Sequence, residues 1–107
     1  MTEFDPEKFE EKYVHYFEEL ERAYSNAYQQ LHGRYDSEVL RAVDRKVLSE
    51  SEPVYRGDGE FDVELPDERV EEVRAAVGAD GEQFDAVLEE FRDRIESELR
   101  RIFEFEA

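Results

Sequence analysis

The sequence predicts an all-α fold of four helices that carries one short β-hairpin. Apolar residues recur every three or four positions along a long first segment and a long last segment, as on one face of a helix. Between them, a Gly-Asp-Gly turn separates two short runs, and the second run alternates apolar and acidic residues. A length of 107 residues fits a single domain over residues 1–107.

The first helix is expected over residues 5–32. Asp5 is a favourable N-cap, and Phe4 before it pairs with Phe9 as a hydrophobic staple. Gly33 follows the last apolar position and is expected to end the helix. The side chains expected to point inward are Phe9, Tyr13, Phe17, Leu20, Tyr24, Ala27 and Leu31.

The length of this first helix predicts an elongated molecule or a subunit contact. At 1.5 Å per residue the helix would measure about 42 Å. A compact chain of this size has a radius of gyration of about 13 Å, so such a helix overshoots it. We therefore expect either an elongated helical hairpin or a second subunit, most simply in a closed homodimer.

The other elements follow from turn and capping residues. Helices are expected over residues 36–48, 66–77 and 80–103, with the hairpin over residues 54–65. The first and last helices should pack near-antiparallel at about 20° because both carry stripes with heptad-like spacing. The stripe of the last helix is Phe84, Leu88, Phe91, Ile95, Leu99 and Ile102.

The charge balance is strongly acidic, with 31 acids against 14 bases and a formal net charge of −17. Disorder is disfavoured because eight Phe, six Tyr and regular apolar spacing can form a core. A salt-adapted surface is favoured, since excess carboxylates keep a protein soluble in concentrated salt and arginine is retained over lysine. A mimic of nucleic-acid phosphates is the weaker alternative.

Several functions lack the residues they need. The chain has no cysteine, so it offers no thiol nucleophile, zinc finger or disulfide framework. No nucleophile triad or phosphate-binding glycine loop occurs, and His15 among Glu11, Glu18 and Glu19 is better explained as a solvated face than as a metal site. We therefore expect no enzyme activity, no cofactor and no bound metal.

The longest apolar runs are triplets, and the first residues lack a basic region followed by an apolar core. These features predict no membrane contact and a cytoplasmic location.

Residues 22–35 contain no acid, although acids are frequent elsewhere in the chain. Such a stretch suggests a surface that something covers. The cover is either the rest of the same chain or a partner, and tyrosine and arginine are enriched at interfaces. Binding of nucleic acid is disfavoured, because the few basic side chains of this region belong to a strongly negative protein that repels a phosphate backbone. The residues expected to contact a partner are Tyr24, Tyr28, His32, Arg34, Tyr35 and Arg41.

Three stretches resemble a family of short uncharacterised haloarchaeal proteins. They read Glu-Phe-Asp-Pro-Glu-Lys-Phe over residues 3–9, Tyr-Ser-Asn-Ala-Tyr-Gln-Gln-Leu-His-Gly-Arg-Tyr over 24–35 and Phe-Asp-Val-Glu-Leu-Pro over 61–66. The resemblance spans the whole chain. It implies a salt-adapted origin, and it carries no activity and no site residue.

The sequence thus favours a non-enzymatic helical protein that acts through protein–protein contacts and self-associates. One alternative is an acidic nucleic-acid mimic or regulator that binds a basic protein. Another is a small ligand-binding bundle, since aromatic-lined helical cores can hold ligands.

The charge predicts that folding depends on salt. Repulsion within a net charge of −17 should rival the marginal stability of a small domain at low ionic strength. At 1 M salt the Debye length falls to about 3 Å, which screens that repulsion. Circular dichroism should therefore show helicity rising from millimolar to molar KCl. Equal helicity and equal melting temperature at both extremes would rule out salt adaptation.

Overall fold

The computed structural model describes residues 4–78 and 81–105, and this part of the chain contains six α-helices and one two-stranded antiparallel sheet. The mostly helical architecture with a hairpin is confirmed, whereas the expected number of four helices is wrong. The helices are α1 (Pro6–Phe9), α2 (Lys12–His15), α3 (Phe17–Leu31), α4 (Ser37–Ala42), α5 (Asp67–Val77) and α6 (Gly81–Ile102).

The helix expected over residues 5–32 is broken into α1, α2 and α3. The backbone leaves the helical region at Glu11 (φ −112°, ψ 45°) and at Tyr16 (φ −128°, ψ 22°). Both predicted ends are confirmed. The Asp5 carboxylate accepts the N–H two residues later at 2.9 Å, and Gly33, which follows the C-cap, has a φ of +89°.

An aromatic cluster at one end of the molecule explains the breaks. The ring of Phe4 lies 4.8–5.9 Å, between centroids, from six other rings. In a straight helix Phe9 and Tyr16 would be separated by about 10 Å along the axis. Here their centroids are 6.1 Å apart, because the break lets both rings enter the cluster. The cluster consists of Phe4, Phe9, Tyr16, Tyr55, Phe61, Phe103 and Phe105.

The breaks also overturn part of the expected core. Tyr13 and Phe17, expected to face inward, are 58% and 54% exposed. The buried stripe of α3 begins at Tyr16 instead, because the interruption turns α3 relative to α2. It runs through Tyr16, Leu20, Ala23, Ala27 and Leu31.

The helix expected over residues 36–48 changes its winding along its length. α4 is capped by Asp36, whose carboxylate accepts the Glu38 N–H at 2.8 Å. It continues as a π-helical turn (Val43–Val47) and a 3₁₀ turn (Leu48–Glu50). Val43 and Val47 are both fully buried, so the wider turn keeps the apolar side pointing into the core.

The predicted hairpin is confirmed as β1 (Glu52–Gly57) and β2 (Glu60–Glu64). Its two-residue loop, Asp58 and Gly59, has positive φ at both positions, as a type I′ turn requires. Gly59 also lies directly beneath the ring of Phe105, so the end of the described chain packs on the turn.

Ion pairs and a backbone hydrogen bond attach β2 to α6. Asp62 lies 3.0 Å from a guanidinium nitrogen of both Arg56 and Arg92, and these hydrogen bonds lower the pKa of its carboxyl to about 2. Glu96 on α6 accepts the N–H of Val63 at 3.1 Å. The outer edge of β2 is therefore covered by α6 side chains.

α3 and α6 pack antiparallel, as predicted. Ala23 and Ala27 are fully buried on α3, and their small side chains allow close approach of the two helices. Three polar side-chain pairs line one side of this contact. From one pair to the next, the position advances by four residues along α3 and the turn after it, and goes back by four residues along α6. The pairs are Asn26 with Glu98 (2.8 Å), Gln30 with Arg94 (3.4 Å) and Arg34 with Glu90 (2.8 Å).

The molecule is elongated and measures 44 × 27 × 21 Å. The expectation that its first helix is too long for a compact domain is wrong. α3 has 15 residues, which corresponds to about 22 Å. The helix length therefore gives no support to a dimer. The expected start of the last helix at residue 80 lies outside the described residues.

The hairpin turn provides a matched pair of substitutions. Gly57 and Gly59 both have positive φ, and a Cβ on Gly57 would meet nothing, whereas one on Gly59 would lie 3.0 Å from the Phe105 ring. Gly57→Ala should cost about 1 kcal/mol from backbone conformation alone. Gly59→Ala should cost roughly 1 kcal/mol more because Phe105 must leave the cluster. Equal losses in urea unfolding would contradict this packing.

Candidate functional site

Three large apolar side chains are exposed next to one another near the amino end of the described chain. Tyr13, Val14 and Phe17 are 58%, 78% and 54% exposed, and they lie on α2 and at the start of α3. We call these three residues the apolar patch. Contiguous exposed apolar surface commonly marks an interaction site in a soluble protein.

A groove of about 210 Å³ adjoins the apolar patch, between α3 and the chain that enters β1. Most of its lining is apolar or aromatic, so it suits one apolar side chain of a partner. We call it the apolar groove, and it is lined by Tyr13, Phe17, Leu20, Glu21, Tyr24, Leu48, Ser49, Ser51 and Pro53.

Tyr24 forms the inner wall of the apolar groove. Its hydroxyl lies 2.9 Å from the Ser51 Oγ, which itself donates to the carbonyl of Leu48 at 2.6 Å. The phenol therefore donates to Ser51. Burial raises the pKa of Tyr24 to about 12.

A second, more polar cleft of about 510 Å³ lies beside the groove, and Pro53 lines both. Three of its lining residues are Glu10, Glu52 and Glu64, and we call it the acidic cleft. The cation that lines it, Lys12, is only 6% exposed, and its Nζ lies 3.1 Å from a carboxylate oxygen of Glu52.

The Lys12 ammonium also lies 5.4 Å from the ring centroid of Phe9 and 5.3 Å from that of Tyr13. These cation–π contacts and the Glu52 carboxylate compensate for its burial. Lys12 therefore holds Tyr13 at the boundary between the acidic cleft and the apolar groove.

The acid-free segment is partly covered by the same chain. Tyr28 packs against Phe91 of α6, with ring centroids 6.2 Å apart. Tyr35 donates a short hydrogen bond to Glu90, and Arg34 lies 2.8 Å from the same carboxylate. That hydrogen bond raises the pKa of Tyr35 and lowers the pKa of Glu90.

The six predicted contact residues do not form one surface of equal character. Tyr24 lines the apolar groove, whereas Arg34 and Tyr35 are engaged with α6. His32 and Arg41 are exposed. The contacts with α6 are those expected if the same chain covers the acid-free segment. A partner at this segment stays a prediction.

Sequence reasoning missed Tyr13 and Phe17 as site residues because their spacing matches a core stripe. A second stripe of equal regularity, from Tyr16 through Leu20 to Ala23, was present but contains smaller residues. Only the packing of Tyr16 in the aromatic cluster separates the two stripes.

A family model matches residues 1–106, which is nearly the whole chain. The chain belongs to DUF5783, a family of unknown function. No curated protein and no solved structure matches the chain. The family relationship therefore supplies no activity. The features from which a function can be inferred are the apolar patch, the apolar groove and the acidic cleft.

Among residues 4–78 and 81–105, no helix has the length and apolar content required to span a bilayer. The same part of the chain holds no group of three or more histidine or carboxylate side chains arranged to bind a metal ion.

The raised pKa of Tyr24 predicts a pH dependence of stability. Because its folded pKa of about 12 exceeds the usual tyrosine value of 10.0, its contribution is fully present below pH 10 and is lost as the pH rises from 10 to 12. Tyr24→Phe should cost about 1 kcal/mol at neutral pH. Ultraviolet absorbance should show that this variant lacks a late-titrating tyrosinate, and an unchanged titration curve would contradict the assignment.

Proposed function

We propose that this protein is a non-enzymatic interaction module, and that it acts through protein contacts at the apolar patch and the apolar groove. The observation that carries the proposal is the exposure of Tyr13, Val14 and Phe17 within five consecutive residues, two of which, Tyr13 and Phe17, line one groove. A chain with a net charge of −17 presents mostly charged surface, so a cluster of exposed aromatic and aliphatic side chains is exceptional on it.

The dimensions of the groove favour a protein partner over a small ligand. Sites for drug-sized molecules usually enclose about 300–1,000 Å³. The apolar groove, at about 210 Å³ and open to solvent beside the apolar patch, better fits a side chain presented by a larger surface. The acidic cleft is larger, but its carboxylates favour a cationic group.

Self-association is one form of this proposal. A second copy could place its own apolar patch against the first around a two-fold axis, as in most closed dimers. His32 in the acid-free segment and Arg41 on α4 are exposed as well.

A basic partner protein is the other form, and the net charge of −17 supports it. Complementary charge speeds encounter and excludes wrong partners. Both forms retain the cytoplasm as the proposed location and a salt-adapted surface as the proposed reason for the acid excess. The localisation of a tagged chain and the salt titration described above test these two points.

A photo-crosslinker placed in the apolar patch tests the proposed function. Benzoylphenylalanine at Val14, which is exposed, should yield crosslinks to a second copy or to another protein in the cells that naturally contain this chain. The matched control carries the same group at Ala86, an exposed position of α6.

Adding Phe17→Ser to the Val14 probe should reduce those crosslinks, because it removes a neighbouring contact without disturbing the core. Crosslinks from Val14 that are no stronger than those from Ala86, or that persist in the presence of Phe17→Ser, would refute the docking surface.

A further inference from the structure

We propose that the partner is a basic segment of another protein, which places an apolar side chain in the apolar groove and an arginine or lysine in the acidic cleft. This inference rests on the proposed function and adds the chemistry of the occupant. Its basis is the adjacency of two recesses of opposite character, which share Pro53 as a lining residue.

The two recesses are close enough to be filled by one short segment. Pro53 lines both, and the ion pair between Lys12 and Glu52 lies at their boundary, with Tyr13 beside it. An extended or helical segment that crosses this boundary can therefore present two of its side chains, one to each recess.

The acidic cleft has more negative charge than its own cation can balance. Lys12 is bound to Glu52, whereas Glu10 forms no ion pair within residues 4–78 and 81–105. Glu64 is 54% exposed and lies 3.6 Å from Arg56, beyond ordinary hydrogen-bond distance. A guanidinium or ammonium group from a partner would find accessible carboxylate oxygens here.

The edge of the apolar patch carries the same sign of charge. Glu18 and Glu21 flank Phe17 along α3, and within the described ranges neither forms an ion pair. Electrostatic complementarity therefore requires cationic residues on both sides of the apolar anchor.

A second copy fits this surface less well than a basic segment does. A two-fold contact centred on the apolar patch would bring together two surfaces of the same negative sign, each with Glu18 and Glu21 at its edge. These like charges oppose association, and added salt weakens the repulsion. Charge thus favours a partner of opposite sign, most strongly at low ionic strength.

The test uses a labelled synthetic peptide with leucines at helical spacing and flanking arginines as the probe. Two control peptides replace its arginines with glutamates or its leucines with serines. Fluorescence anisotropy with the full chain, at two KCl concentrations at which circular dichroism shows it to be equally folded, should show binding of the arginine–leucine peptide alone, weaker at the higher concentration.

Two variants and two matched controls locate the binding site. Phe17→Ser should weaken binding of the arginine–leucine peptide about tenfold or more, and Ala86→Ser should not. The double substitution Glu10→Gln with Glu64→Gln should weaken it and reduce its salt dependence. The charge-matched pair Glu89→Gln with Asp93→Asn, exposed on α6, should change neither. Circular dichroism confirms that each variant is folded.

Each contrary outcome has a distinct meaning. Equal binding of the serine peptide, or equal losses in the two double variants, would show diffuse attraction to an acidic protein and overturn the inference. Crosslinks from Val14 to a second copy that the arginine–leucine peptide does not reduce would also overturn it, while the proposed function would stand. Absence of both crosslinks and peptide binding would refute both proposals.

Discussion

The burial of Phe9 and Tyr16 in one aromatic cluster is the constraint on which the rest of the structure depends. A continuous helix would hold these two rings about 10 Å apart along its axis. The breaks between α1 and α2 and at Tyr16 bring their centroids to 6.1 Å. Aromatic rings that pack edge-to-face gain more than their buried area alone provides, which offsets the loss of helical hydrogen bonds at the breaks. The Asp5 N–H also gains a partner there, the Tyr16 hydroxyl at 2.9 Å.

The exposed apolar patch is a consequence of the same constraint. Once Tyr16 begins the buried stripe of α3, Tyr13 and Phe17 can no longer face the core. The cluster also joins both ends of the described chain to the hairpin, through Phe4 and Phe105. Exposed apolar surface next to the apolar groove therefore follows from core packing, and substitutions at Phe17 need not affect the core.

Local signals in the sequence were sufficient for the ends of elements and for the hairpin. The cap at Asp5, the stop at Gly33 and the Asp58-Gly59 turn depend on nearest neighbours, and the structure confirms each. The interruption of the first helix was missed because no proline or glycine marks it. Its cause is contact between residues far apart in the sequence, such as Tyr16 and Phe103, which periodicity cannot reveal.

The same distinction applies to the candidate site. A lack of acids drew attention to Tyr24, which lines the apolar groove, but composition alone cannot distinguish a partner from α6. Glu90, which binds Arg34 and Tyr35, lies more than fifty residues away in the chain. The acidic cleft likewise joins α1 to β1 and β2, so no local motif marks it.

The distribution of cations strengthens the argument that this surface is made for a basic partner. Most arginines are already committed to internal ion pairs, such as Arg74 with Asp85 and Arg101 with Glu98. Ion pairs at the surface contribute little stability. Because these arginines are paired with particular carboxylates, the described carboxylates outside the pairs stay without a cation. Near Phe17 such carboxylates surround apolar surface that water solvates poorly. A partner that supplies both an apolar side chain and a positive charge relieves both costs at once, whereas an uncharged partner relieves only one.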